Sequence, residues 1–385
     1  MSSYQQSIKS QNKKQILQLI IDHAPISRSA IAKQLGMAKG TVSSLSTELI
    51  GSEIIYEYGP GSSSGGRRPL MLLFNEKAGY SIGIDVGVNY IMGILTNLRG
   101  EKIAEQKQTI SVHDFDYMLP LIIQSIQKLI DASPPSPYGI IGVGVGVPGI
   151  VNHQGSILFA PNLGWEQVDL QEELENAFDV PVTIENEANA GAYGEKKHNS
   201  SSHLSDNLVY VSAGIGIGAG VIINGEIYRG EKGYSGEFGH MMIDMNGRKC
   251  SCGSVGCWEM YASEKALLLE AEKVLDSAEG LSLESLIDQA EINPKVTSLF
   301  TEIGDCLGSG ISSILNVFNP QKVVIGNRLA LAEPLLSEPV KAAIDRHTLN
   351  FHKEQAEILF SSLTPYSTSL GASHFVTERF IATNF

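Results

Sequence analysis

No long hydrophobic run occurs in the sequence: the longest apolar stretch, residues 138–151, is short and interrupted by glycine, so it cannot span a bilayer. The first residues, MSSYQQSIKSQNKK, lack an apolar h-region, which argues against export. Cysteine is scarce as well. Only four occur, three of them within eight residues, a distribution unlike a disulfide framework. Charged side chains make up 18% of the chain against 43% hydrophobic ones, which excludes global disorder and supports a large packed core. The 39 glycines fall in strand-like runs, neither in a collagen-like period nor in a spacer. A length of 385 residues suits two or three domains, and the expectation is a soluble, cytoplasmic protein.

Positive charge is short overall, with 28 Lys and Arg against 42 Asp and Glu for a net charge of −14. The deficit is uneven. Residues 1–75 hold eight basic and four acidic side chains, net +4, whereas the remaining 310 residues hold 20 and 38, net −18. A small basic head on a large acidic body suits an arm that meets a polyanion and a body that does not.

In the head, residues 12–23 place Ile16, Leu17, Ile20 and Ile21 on one helical face. Pro25 breaks that helix, and Ser27 can cap a second with the face Ala30, Ile31 and Leu35. Gly36 makes a turn into a third, where Val42, Leu45 and Leu49 recur at the spacing of a buried stripe. Two helices joined by a tight glycine turn describe a helix-turn-helix. The polar face of its second member would enter the major groove. Ala38 and Gly40 open that helix without a good N-cap. Residues 53–58 and 69–74 read as two strands of a wing, joined by GPGSSSGGRR. The expected DNA contacts are Arg28, Lys39, Thr41, Ser43, Ser44 and Thr47, with Arg67 and Arg68 on the wing near phosphates or the minor groove. The competing reading is a helical interaction module with a linker; turn, wing and local charge together favour DNA.

From Gly79 the pattern changes to short apolar strands punctuated by glycine. Residues 80–86, the turn Gly87-Val88-Asn89 and residues 90–96 are echoed by residues 208–212, the glycine run 213–220 and residues 221–223. This weak duplication implies two lobes with a ligand cleft between them, although bulges and close packing also call for glycine in strands. The densest chemical signal is His240 followed by Cys250-x-Cys252-x4-Cys257. Three thiolates and one imidazole form a closed tetrahedral set that fits structural zinc and leaves no position for a metal-bound water. Cys306, in an apolar helical stretch, reads as core packing. Around the knot lie Glu237 and Glu259; upstream are Glu185-Asn186-Glu187-Ala188-Asn189 and Asn162 with the indole of Trp165. Singly each glutamate could be a solvated charge. Together, carboxylates and amides near an aromatic plane suit a hydroxyl-rich ligand, because each sugar hydroxyl both donates and accepts.

The segments GIDVG, GVGVPGIV, PNLGW, ENEANA, GEFGH and CSCGSVGCWE occur in the order found in the ROK family of sugar kinases and sugar-responsive repressors, and the resemblance covers essentially the whole chain. Within that family the head, the SSGGRRP wing and ENEANAGAYGEK are most similar to the xylose-responsive repressors of low-GC Gram-positive bacteria. The resemblance implies an α/β architecture: a winged helix-turn-helix, residues 1–75, followed by a two-lobe, actin-like sugar-kinase (ATPase) fold, residues 76–385. Lobe one would hold about 76–190 plus a C-terminal helix at about 366–385, and lobe two about 191–365 with the zinc knot. It further implies zinc on His240, Cys250, Cys252 and Cys257, and sugar contacts from Asn162, Asn186, Glu187, Glu237, His240 and Glu259. His240 would be shared, one ring nitrogen on zinc and the other facing the sugar.

Departures from the kinase pattern set the functional expectation. The phosphate turn Asp-x-Gly-Gly-Thr is here Asp85-Val86-Gly87-Val88-Asn89, and Gly-Thr-Gly is Gly214-Ile215-Gly216. Glu187 stands where the kinases hold an aspartate base; its extra methylene moves the carboxylate by roughly 1.5 Å, and a misplacement of about 1 Å can cost on the order of a hundredfold in rate. The expectation is a non-enzymatic repressor that needs no ATP, in which Glu187 is a vestigial base. As a homodimer or tetramer it would bind a palindromic operator and be released by a small neutral sugar, with xylose favoured. The rival is an ATP-dependent sugar kinase carrying a regulatory DNA-binding head. Acidic cleft groups without clustered Lys or Arg disfavour a sugar phosphate.

Overall fold

A computed structural model describes residues 3–60, 69–198, 205–275, 280–353 and 355–385. The head closes around three helices, Ser3–His23, Arg28–Leu35 and Lys39–Gly51. The first begins well before residue 12, its extra turns being polar. Ser27 caps the second, its Oγ accepting from the Ala30 amide at 3.2 Å, and Gly36 makes the turn at φ 65°. As the sequence indicates, Ala38 offers the third helix no side-chain cap.

Two apolar assignments in the head need correction. Ile21 is only half-buried and Ala30 is exposed, while Ile31 and Ala32 face the core. Starting the second helix at Arg28 turns Ala30 outward as its amide engages the cap. The wing strands are Ile55–Pro60 and Leu70–Phe74; Glu53 lies before them in a left-handed conformation, φ 59°. A third, two-residue strand, Ile26–Ser27, pairs with Leu70–Phe74 and is too short to leave a periodic signal. Arg67 and Arg68 lie outside the described residues.

The body holds two five-stranded sheets. The first runs Val182–Asn186, Ile140–Val147, Tyr80–Val86, Tyr90–Asn97, Lys102–Thr109; the second runs Glu226–Ile227, Ile217–Ile223, Leu208–Ala213, Lys322–Gly326, Glu357–Phe360. In each, the first three strands in sequence form an antiparallel meander, and the fourth and fifth add in parallel beside the first strand. The weak repeat in the sequence is thus a repeat of topology. The glycine run 213–220 is not one turn, however. The strand already starts at Ile217, and Gly220 lies within it because helix Glu187–His198 crosses so closely that a Cβ there would strike the Ala188 carbonyl.

That helix packs along the C-terminal helix Ser367–Asn384 between the two sheets, passing straight through residue 190. The far end of the C-terminal helix meets the head. Val376 and Phe385 share a core with Ile16, Leu45 and Leu72, and the Tyr138 hydroxyl donates to the Ser52 carbonyl at 2.7 Å. Among the described residues no helix is long and apolar enough to cross a membrane.

Gly371 is the tightest point of the helix pair, since a methyl there would meet the Ala190 carbonyl and the Gly194 amide. Gly371→Ala is expected to destabilise the body by about 3 kcal/mol. Gly40→Ala, on a helix with open space around it, should stabilise the head by up to about 1 kcal/mol. Urea-denaturation midpoints of the two variants check both signs.

Candidate functional site

The two glycine-rich turns face each other across a cleft of about 250 Å³, just below the usual range of small-molecule pockets. Asn162, Asn186, Glu187, Glu237, His240 and Glu259 all line it, although they come from segments up to a hundred residues apart. Asn186 closes the strand Val182–Asn186, and its Oδ1 accepts the amides of Ala188 and Asn189, so it caps the helix that follows. Its Nδ2 donates to the Gly149 carbonyl at 2.8 Å. Glu187 opens the helix, and its Oε2 accepts from Ser212 Oγ at 2.9 Å, which in turn accepts from Asn327 Nδ2 at 3.0 Å. Beside it Tyr90 donates its hydroxyl to Asp85 Oδ2 at 2.8 Å.

This arrangement sets a buried Asp85 near a half-buried Glu187, and among the described residues no cation pairs with either. Loss of water pushes Asp85 up to about 7 and, with Asp85 nearby, Glu187 up to about 8. Burial also raises Glu237. A protonated Glu187 is both a donor and an acceptor, as a neutral hydroxyl ligand needs. Asp85, Tyr90, Ser212, Asn327 and Arg328 belong to the cleft lining and were not among the expected site residues. The i, i+5 pairing of Asp85 and Tyr90 across a turn offered a faint signal; Ser212 and Asn327, 115 residues apart, offered none. The indole of Trp165 is corrected out of the site. It is 2% exposed, lies in the lobe core and donates to the His113 carbonyl at 2.7 Å; Tyr90 and Phe159 are the cleft's aromatic walls.

At one end of the cleft, donor atoms of His240, Cys250, Cys252 and Cys257 lie within 4.8 Å of one another. Cys252 Sγ to Cys257 Sγ and Cys250 Sγ to His240 Nδ1 are both 3.7 Å. Ligands about 2.0–2.3 Å from a tetrahedral zinc are separated by nearly this much, so the set is compatible with a structural zinc site. The other ring nitrogen of His240, Nε2, faces Glu237 Oε2 at 3.8 Å. Trp258, next to Cys257, is fully buried and donates to the Cys306 carbonyl at 2.8 Å, bolting the knot to helix Pro294–Phe318.

In the head, Lys39, Thr41, Ser43, Ser44 and Thr47 are all exposed on one helix. Arg28 is not free beside them: its guanidinium pairs with Glu57 at 2.8 Å, tying the second helix to the wing.

Residues 81–379 match the ROK family, and residues 9–56 match a winged helix-turn-helix DNA-binding family. The chain is 44% identical over 376 residues to the xylose repressor of Bacillus subtilis (strain 168), covering 97% of each. It resembles the solved structure of a ROK family transcriptional regulator, a homologue of the Escherichia coli MLC protein, with TM-score 0.83 and 26% identity over 97% of both chains. It also resembles a ROK family glucokinase from Streptomyces griseus in complex with glucose and AMPPNP, with TM-score 0.71 and 25% identity over 77% of this chain and 99% of that one. The architecture is therefore a winged helix-turn-helix followed by the two-lobe, actin-like sugar-kinase fold.

The two raised carboxyls set a pH dependence. Their ordinary values are 3.8 and 4.5, so between about pH 4 and pH 8 the folded chain binds protons that the unfolded chain has released. Stability should fall as pH rises through that window. Glu187→Gln, which cannot ionise, is expected to flatten the fall and raise stability at pH 8 relative to pH 5, measured by urea denaturation at both.

Proposed function

This chain belongs to the ROK family, and we propose that it is a sugar-responsive transcriptional repressor, released from a palindromic operator when a neutral sugar, xylose, fills the cleft. One observation carries the reading. A winged head with a row of exposed short polar side chains is fused to a cleft whose buried groups suit an uncharged polyol, in a chain 44% identical to a xylose repressor along nearly its whole length.

The head, residues 1–75, would place Lys39, Thr41, Ser43, Ser44 and Thr47 in the major groove. Arg67 and Arg68 would reach the backbone or minor groove, and Arg28 would act through the ion pair that fixes its helix. Two-fold operator symmetry implies a homodimer or a higher assembly. In the body, residues 76–385, Asn162 and Asn186 would offer amides to the sugar. Glu187 and Glu259 would bind hydroxyls from either side, and Glu237 and His240 Nε2 would close the third. Zinc on His240, Cys250, Cys252 and Cys257 would cross-link the loop that carries Glu237 and Glu259. Those two side chains then meet the sugar with little freedom to lose on binding. Filling the cleft would favour a body conformation in which the two heads no longer match the spacing of the half-sites. A swing of the population from 1:99 to 99:1 needs about 5.5 kcal/mol of differential affinity.

Glycosyl phosphorylation is disfavoured by the same residues. Glu187 stands where the kinases hold an aspartate, and its extra methylene displaces the carboxylate from that position. Val88, Asn89 and Ile215 line the cleft where the kinases place a glycine and hydroxyl donors. The glucokinase likeness keeps one alternative in view, a kinase with a DNA-binding head, and a coupled assay of ADP release with a sugar panel separates the two.

Xylose is expected to raise the melting temperature and weaken operator binding at least tenfold, while ADP release stays at background. A chain on which no neutral sugar changes either property is not such a repressor. Cys257→Ala should lower zinc content, soluble yield and sugar response together; a stable, zinc-free, responsive variant contradicts the bracing role.

A further inference from the structure

Glu185, the first residue of the ENEANA segment, is absent from the sugar contacts, yet it is one of the best-bonded acids near the cleft. It is 9% exposed and lies in the strand Val182–Asn186 of the first sheet. Its Oε1 accepts from the Asn186 amide at 2.9 Å and from Asn189 Nδ2 at 3.1 Å. Its Oε2 accepts from Arg229 Nε at 2.9 Å and Nη2 at 2.6 Å. Arg229 belongs to the opposite lobe, in the segment that follows strand Glu226–Ile227, and its guanidinium also sits 5.6 Å from the ring of Phe375 on the C-terminal helix.

The segment after Arg229 is a strap from one lobe across to the other. The Ser235 amide donates to the Arg229 carbonyl at 3.2 Å, closing a turn two residues before Glu237. Midway, Glu231 offers its carbonyl to His153 Nε2 at 3.2 Å, and Gly233 lies against Val151 and Asn152, all three on the first lobe. One side of the ion pair thus adjoins Asn186 and the other leads by one turn to Glu237. These are two residues assigned to the sugar from opposite lobes.

We infer that Arg229 and Glu185 form an interlobe latch, and that they are positioning residues which hold Asn186 and Glu237 at the spacing a sugar must bridge. The inference rests on the sugar-responsive reading above. A lone pair on the surface would contribute little; here Glu185 is buried and Arg229 half-buried, two donors meet one oxygen, and both ends are anchored. Two groups that must meet one ligand lose affinity steeply when their separation is free to vary.

The test is a double-mutant cycle on the full-length, zinc-loaded protein, with Arg229→Gln and Glu185→Gln, the latter keeping an oxygen for the Asn186 and Asn189 donors. Xylose binding is measured by calorimetry and operator binding by fluorescence anisotropy. Each single variant is expected to bind xylose ten- to a hundredfold more weakly. The double variant should lose no more than either single, because the second change removes a pair already broken. Operator affinity without sugar and zinc content should stay within about twofold of wild type, and Arg229→Lys should recover part of the loss. Wild-type xylose affinity in the single variants, additive losses in the double, or a loss that tracks zinc content or unliganded stability overturns the latch. A wild-type protein that binds no sugar overturns the repressor reading itself, and this inference with it.

Discussion

The body depends on two helices meeting backbone to backbone. Glu187–His198 and Ser367–Asn384 can approach as they do only because Gly194 and Gly371 carry no side chain where they cross. Their contact fills the space between two sheets of equal topology and fixes how far apart the sheets stand. It also places Glu187, the first residue of its helix, against Ser212 of the second sheet, while its own carbonyl accepts from Thr368 of the C-terminal helix at 3.1 Å. The floor of the cleft is therefore made by three elements whose spacing a single methyl would alter.

Electrostatics then set the character of the cleft. Asp85 is buried and loss of water raises it, while Glu187, partly buried beside it, is raised by loss of water and by the nearby Asp85, so the floor favours the protonated form. Among the described lining residues Arg328 is the one Lys or Arg, and it is engaged by Glu264 at 2.7 Å and Glu284 at 3.1 Å. In the function proposed above, a neutral polyol would supply donors and acceptors without charge. One fold can hold both kinases and ligand-gated regulators because the difference lies in a few cleft residues and not in the scaffold.

Much of this was legible in the residues. The metal-ligand spacing of Cys250, Cys252 and Cys257, the capping Ser27, the buried stripe of Val42, Leu45 and Leu49, and the acid-amide segment around Asn186 are local patterns, and local patterns follow from helix and strand periodicity. The misreadings share a cause. Trp165 stands beside Asn162 in sequence but on the core side of its strand, and Gly220 looks like a turn until a crossing helix explains it. In each case the deciding neighbour is distant in the chain.

The sequence by itself determined the basic head, the two-lobe body, the knot's donor set and the family, because composition, short-range periodicity and fixed spacings are properties of the chain alone. Only the tertiary structure decided which carboxyls are stripped of water, that Ser212 and Asn327 complete the floor, and that Arg229 reaches Glu185 across the lobes. Desolvation and ion pairing depend on what lies within a few ångströms in space, and that distance is set by how the sheets and helices pack.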